Sequence, residues 1–307
     1  MKNFFLSCCG VVVISLSLTH SAIAATYSLP APGNDIVGEV RYVSASSGET
    51  LLTVAQRNGI GVNQIMTSNP GMDLTTPLGS GTTVRIPAEF ILPAISHRGI
   101  VINLPEMRMY YYPGDGTVRT YPVGIGRVGK TIPIQRTAVA RKALNPTWTP
   151  PKDIRDWNAE QGITLPASMP AGPDNPLGPY AIYLRIPTFL IHSTIFPESI
   201  GKRASFGCIR MNEGDIKEFF PDMRAGLPVD IIDLPIKVGW YGNRVYLEAH
   251  PPLEERSHLS HASLNGVVRM IENTLPKNRM IMIDWQLVAH LVEDPDGVPH
   301  EIGTVSG

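Results

Sequence analysis

The chain has 307 residues, with 26 Lys and Arg against 27 Asp and Glu, for a formal charge of -1. That balance leaves no net field to attract nucleic acid or an anionic membrane, and the length points to about two domains with ample material for a buried core. Charged residues are 17% and hydrophobic ones 43%, which excludes a chain too polar to collapse; 28 Gly and 28 Pro without a collagen period favour turns and short strands over an all-helical bundle.

In chain order, Lys2 precedes an uncharged stretch centred on Val11, Val12, Val13, Ile14 and Leu16, and Ala22-Ile23-Ala24 follows. A basic start, a short apolar centre and small residues predict a secretory signal peptide over residues 1–24, and hence export to the periplasm. Ser15, Ser17, Thr19 and His20 break the apolar run and argue against a retained membrane anchor. Cleavage removes Cys8 and Cys9, so of 3 cysteines only Cys208 stays, without a partner, in an oxidising compartment. A lone thiol there is an inert buried residue, an intermolecular bridge or a nucleophile.

Residues 25–40, with Pro30, Pro32, Gly33 and Gly38, read as a linker. A small unit over residues 41–88 follows, in the order strand, helix, helix, strand. Tyr42-Val43 opens it; Leu51, Leu52, Val54 and Ala55 are helix-spaced and stop at Asn58-Gly59. Ile60, Val62, Ile65 and Met66 form a second helix ending at Asn69-Pro70, and Val84-Arg85-Ile86-Pro87 closes the unit. Gly48-Glu49-Thr50-Leu51, Asn58-Gly59, Asn69-Pro70, Pro77-Leu78 and Gly81 fall in the order of a LysM module, which this unit resembles. The resemblance implies a βααβ fold that binds N-acetylglucosamine-containing glycan; a packing domain without sugar binding is the alternative.

From residue 98 the texture is β-rich: strands over 99–103 and 107–112, a turn at Pro113-Gly114-Asp115-Gly116, and a return strand over 117–123. Another alternating run begins at Thr137. The Pro-rich passage over 145–179, with Trp148 and Trp157, is long for a structureless loop, and such loops are often lids or binding segments. Residues 180–185 and 189–192 read as buried strands, Asn212 as the N-cap of a helix over 213–224, and 229–233 as a strand. Residues 235–307 form an extension without an assigned role, with a strand at 245–248 and helices near 262–275 and 283–292. Gly124 and the residues through Gly129-Lys130-Thr131 spell a phosphate loop. Such a loop must open a helix at Lys130-Thr131, whereas Pro133 holds its predecessor extended. A glycine-rich connection between strands is the expectation, with no nucleotide and no nucleic acid.

Chemistry concentrates in Ile191-His192-Ser193-Thr194 and in the run from Ala204 to Asn212. A thiol near its free pKa of ~8.5 is mostly protonated at neutral pH, so a nucleophilic cysteine needs a base or a cation beside it. His192 lies sixteen positions before Cys208, a spacing that suits a strand, a connecting loop and a return to the same end of a sheet. Gly207 permits a tight turn before Cys208. The helix after Asn212 is expected to bring amide donors and positive dipole near the sulfur, and Arg210 is a ready partner for a carboxylate. For an arbitrary Cys/His pair a buried structural cysteine is the commoner outcome.

His192 followed by Ser205-x-Gly207-Cys208-x-Arg210 resembles the active-site signature of the L,D-transpeptidases, with the resemblance spanning residues 98–234. It implies a YkuD-type β-sandwich, so that the whole chain is mostly β with short helices (α+β). It further implies Cys208 as nucleophile, His192 as general base and acid, Ser205, Gly207, Arg210 and Ser193 at the substrate site, and neither metal nor cofactor. Phe206 stands where the family commonly has His, and Ser193 where Gly is frequent. The implied reaction is attack by Cys208 on the bond between meso-diaminopimelate and the terminal D-alanine of a peptidoglycan tetrapeptide stem. The resulting thioester passes to another diaminopimelate (a 3-3 cross-link), to a lysine of an outer-membrane lipoprotein, or to water as in a carboxypeptidase; the sequence does not choose. A non-catalytic, LysM-type peptidoglycan-binding protein is the competing reading. His258-Leu259-Ser260-His261 has ligand-like spacing but no third ligand, and reads as solvated.

Overall fold

The computed structural model describes residues 25–258, 263–274 and 281–305; the expected signal peptide and His261 lie outside the described residues. The chain opens with β1 (Ala25–Ser28), β2 (Ile36–Ser44), α1 (Leu51–Arg57), α2 (Val62–Ser68) and β3 (Thr83–Ile91). A long β region follows: β4 (Gly99–Asn103), β5 (Arg108–Tyr112), β6 (Thr117–Pro122), β7 (Ile125–Gly126) and β8 (Arg136–Leu144). Then come α3 (Lys152–Glu160), β9 (Tyr180–Leu184), β10 (Leu190–Ser193), β11 (Arg203–Ser205), β12 (Ile209–Met211), α4 (Glu213–Phe219) and β13 (Pro228–Ile232). The chain ends with β14 (Ile236–Tyr241), β15 (Arg244–Ala249), α5 (Leu264–Thr274), β16 (Ile281–Ile283), α6 (Trp285–Glu293) and β17 (His300–Val305). The fold is mostly β with short helices, as the sequence implied.

Helix α1 starts at a reciprocal capping box: Thr53 N donates to Thr50 Oγ1 at 3.2 Å and Thr50 N donates to Thr53 Oγ1 at 2.9 Å. Strands β2 and β3 pair antiparallel along their full length, from Ile36↔Ile91 to Ser44↔Thr83. The expected linker over residues 25–40 is therefore corrected. Ala25–Ser28 pairs with β6, and the front half of β2 is a strand. Gly38 looked like a linker residue, yet it sits at φ 78 where an added Cβ would lie 2.0 Å from Ala88 O, so close strand pairing itself requires glycine.

The main sheet runs β1-β6-β5-β4-β13-β8-β9-β10-β12. Side chains alternate across it. One face buries Ile100, Ile102, Met109, Tyr111, Ile182, Ile191, Ile209 and Met211 with Ile216 and Phe219 of α4. On the other face Val101, Tyr110, Tyr112 and Val118 merge with Leu51, Val54, Ile65, Val84, Ile86 and Phe90 into one core. The βααβ unit thus shares its core with the sheet. Strands β14–β17 and helices α5 and α6 form a third unit, sheet order β14-β15-β17-β16, around Val245, Leu247, Val267, Ile271, Val288, Leu291 and Ile302. It is stitched on through Asp35, whose N–H donates to Trp240 O at 2.8 Å and whose carboxylate accepts from Trp240 N at 2.9 Å. Among the described residues no helix is long and apolar enough to cross a membrane.

The phosphate-loop spelling resolves as expected. Ile125–Gly126 is a short strand paired in parallel with β11, and no helix begins at Lys130-Thr131.

Candidate active site

Strands β10 and β12 are parallel neighbours in the register Ile191↔Ile209, His192↔Arg210, Ser193↔Met211. A parallel return needs a crossover, which is why residues so far apart in sequence meet. Ile191, Ile209 and Met211 face the core, so the alternate residues His192, Cys208 and Arg210 share the opposite face and open into one cleft of about 1010 Å³.

His192 is buried, and its Nδ1 lies 2.5 Å from Ser193 O. A carbonyl only accepts, so Nδ1 carries the proton and Nε2 keeps its lone pair. Burial pulls the His192 pKa down to about 4; the Ser193 hydrogen bond opposes this and the Arg210 charge reinforces it. The half-buried Cys208 has its Sγ 3.7 Å from Thr188 O. Burial pushes the thiol up to about 11, against a backbone hydrogen bond at Leu190 and the Arg210 charge. The resting pair is thus a neutral thiol and a neutral imidazole. Thr188 sits at φ 71, a conformation that costs a β-branched residue energy; the β9–β10 turn holds it there with its carbonyl on the sulfur.

Ser205 knits the turn, accepting from Gly207 N at 3.0 Å and donating to Cys208 O at 2.6 Å. Gly207, at φ 113, leaves no room for a Cβ, which would lie 2.7 Å from Phe189 Cε1 and 2.9 Å from Lys130 O. It shapes the turn and does not line the cleft. Ser193, expected at the substrate site, is corrected: it is 0% exposed and its Oγ donates to Leu177 O at 2.9 Å and accepts from Tyr180 N at 3.0 Å. Neighbours on a strand face opposite ways, so with His192 in the cleft Ser193 must turn to the core. Only its carbonyl serves the site. The expected helix dipole is corrected as well. Strand β12 intervenes between Cys208 and α4, whose first turn carries Glu213 and Asp215, and a dipole's effect fades within the terminal turn.

Sequence reasoning missed what surrounds the pair. Arg127 Cζ lies 3.7 Å from the Phe206 ring centroid and 4.4 Å from that of Trp157, and the two rings meet edge-on at 5.4 Å. Together with Lys130 Nζ on Asp153 at 2.7 Å, this clasp holds α3, which buries no side chain of its own, over the cleft. Trp148, Trp157 and Met169 of the long Pro-rich passage line the cavity. Arg141 stacks on Tyr183 at 3.4 Å, and Arg210 lies 5.6 Å from the Phe196 ring with its Nε buried and without a hydrogen-bond partner. Among the described residues Arg127, Arg141 and Arg210 pair with no carboxylate. The sequence signals were Phe206, standing where His was expected, and Trp148 and Trp157 in the long Pro-rich passage, which line the cleft; the arginines carried none.

Residues 97–231 match the L,D-transpeptidase catalytic domain family (YkuD), and residues 46–87 match the LysM domain family. The probable L,D-transpeptidase YcfS of Escherichia coli (strain K12) is 36% identical over 299 residues, covering 94% of this chain and 91% of that protein. The chain belongs to the L,D-transpeptidase family. The probable L,D-transpeptidase ErfK/SrfK of the same organism is 43% identical over 244 residues, 78% of each chain, and the probable L,D-transpeptidase YbiS is 42% identical over 260 residues, 82% of each. The protein is an L,D-transpeptidase with a LysM domain, a pairing that points to peptidoglycan.

Proposed function

We propose that this L,D-transpeptidase is exported to the periplasm and cleaves the bond between diaminopimelate and the terminal D-alanine of tetrapeptide stems through a thioester on Cys208. The carrying observation is the common face of β10 and β12, from which Cys208, His192 and Arg210 open into one cleft with Nε2 of His192 unencumbered. As Sγ attacks the carbonyl carbon, its proton moves to Nε2. When the C–N bond breaks, that proton passes to the departing amine of D-alanine. An acceptor amine then attacks the thioester, gives a proton to His192, and sulfur leaves and recovers it. The acceptor is another diaminopimelate or a lipoprotein lysine; water in its place gives a carboxypeptidase.

The three unpaired guanidiniums support an anionic substrate. A tetrapeptide stem carries several carboxylates, and Arg210, beside the sulfur, suits the one nearest the scissile bond. Incubation with tetrapeptide muropeptides, read by mass spectrometry, is expected to release D-alanine and form dimers, both lost in Cys208→Ala. Identical traces for the two proteins would leave a peptidoglycan-binding protein without catalysis. A carbapenem is expected to add its mass at Cys208.

A further inference from the structure

We infer that the LysM domain is a brace for the segment carrying the nucleophile, acting through the contact of Gly61 with Gly201, so that acylation of Cys208 depends on this contact even when the substrate bears no sugar. The inference rests on Cys208 and His192 being the reacting pair. Residues 194–207 connect β10 to Cys208, and their middle lies against α2.

A helix begins with amides that lack internal partners, and at the start of α2 Gly61 offers no side chain to cap them. The catalytic segment supplies the acceptors: Val62 N donates to Ile200 O at 2.9 Å and Asn63 N to Gly201 O at 3.4 Å. The two backbones touch. A Cβ on Gly61 would lie 2.9 Å from Gly201 Cα, and one on Gly201, at φ 80, would lie 2.4 Å from Val62 N. From there the connection continues inward, with Gly201 N donating to Val123 O at 3.1 Å and Ile125 N to Lys202 O at 3.0 Å. Gly124 and Arg210 then exchange backbone bonds of 2.9 and 2.8 Å, two residues from Cys208.

Helix α2 is itself fixed from behind. The buried Arg108 donates to Gly59 O at 3.3 Å and to Gln64 Oε1 at 3.1 Å, and Gln64 Nε2 donates to Pro87 O at 3.2 Å. A domain that only tethers the enzyme to glycan needs neither a shared core nor a glycine-to-glycine seam. A brace needs both.

The test uses the full chain. Gly61 has φ -76, where alanine fits without backbone strain, so in Gly61→Ala the near obstacle is Gly201. Carbapenem acylation of Cys208 and kcat on a sugar-free tetrapeptide are each expected to fall about tenfold, since small displacements of reacting groups are costly, with KM little changed. Labelling at completion is expected to reach every molecule. Gln64→Ala, which removes the rear support without adding bulk, is expected to act in the same direction by less, and Glu39→Ala, exposed on β2, to leave the rates alone. Wild-type rates in Gly61→Ala and Gln64→Ala overturn the brace, as does a smaller labelled fraction at an unchanged rate, the mark of simple misfolding. Faster amide exchange over residues 200–207 in Gly61→Ala supports the brace even if the wild type neither labels at Cys208 nor releases D-alanine; that pair of failures strikes the nucleophile assignment instead.

Discussion

Two regions of this molecule draw ionisable groups out of water, one fully and one in part, and treat them in opposite ways. Where the three units meet, Lys237 Nζ lies 3.0 Å from Glu106 Oε2 and 2.8 Å from Glu248 Oε1. Glu248 also binds His250 Nε2 at 2.7 Å and accepts from Ile91 N at 2.6 Å, and Tyr110 donates to Glu106 at 2.5 Å. Burial alone would raise the Glu106 carboxyl, but Lys237 and its other cationic neighbours hold it below the usual carboxylate range. Glu106, Glu248 and His250 bring ligand atoms within 4.8 Å of one another, as a metal site would, yet the Lys237 ammonium already stands among them. In the cleft the thiol meets one carbonyl at 3.7 Å, the imidazole keeps one nitrogen free, and Arg210 Nε has no partner. The first region matches its buried charges against one another and is a girder, even with Arg108 Nε left without a hydrogen bond in it; the second opens its thiol, imidazole and guanidinium onto a cleft, as a reaction site does.

The sharpest way to break this contrast is to remove one group from each region. His192→Gln takes away both base and acid, and D-alanine release is expected to fall about 10⁴-fold, the upper end for a proton-transfer residue, with the unfolding midpoint nearly unchanged. Lys237→Met leaves two buried carboxylates uncompensated, and urea unfolding is expected to show a loss of about 4 kcal/mol while kcat of the folded fraction holds. A kinetic defect in Lys237→Met without lost stability would erase the distinction. Between these lies Arg210→Met, expected to lower kcat/KM on the tetrapeptide about thirtyfold, as loss of a charge-assisted contact worth about 2 kcal/mol requires.

The neutral resting pair has its own signature in pH. With His192 near 4 and the thiol near 11, the rate of carbapenem acylation is expected to stay flat from about pH 6 to 9 and to fall as pH drops toward 4. Groups at their ordinary values would give limbs near 6.5 and 8.5 instead. Stability shifts with the same sign on the acid side. The folded His192 binds its proton less readily than the unfolded one, so its contribution is present above about pH 6.5 and is lost as pH falls toward 4. A limb near pH 6.5 in the rate profile would mean that burial does not hold down the pKa of the reacting histidine.

Much of the site was legible because its signals are local. Short apolar runs set β9 and β10, and Gly207 before Cys208 marked the turn. The face of Ser193 was readable too, since alternation sends it opposite to His192, but family resemblance led toward the substrate site. Trp157 and Phe206 were each flagged in the sequence, but their meeting through Arg127 was hidden because the three come from separated segments. At the amino end Pro30, Pro32, Gly33 and Gly38 imitate a linker, and only pairing with β3 and β6 shows strands. Strand β14 escaped because its Gly239, where a Cβ would lie 2.6 Å from Ile91 Cγ2, is demanded by a neighbour far away in the chain.

The smallest expected effect concerns the clasp over the cleft. Helix α3 has no fully buried side chain, so its position depends on the Lys130–Asp153 ion pair, the Trp157–Phe206 edge contact and Arg127 against both rings, the ring contacts together worth about 1 kcal/mol. Trp157→Ala is expected to raise KM for the tetrapeptide about fivefold, with carbapenem acylation, which needs only the inner end of the cleft, changed less than twofold. Phe206→His keeps a ring under Arg127 and is expected to move KM by less than Trp157→Ala does. If the two variants shift KM equally, the ring at position 206 is the binding element and the helix above it is a bystander; if neither shifts it, α3 does not cover the bound stem, and the unpaired guanidiniums below must hold the substrate without a roof.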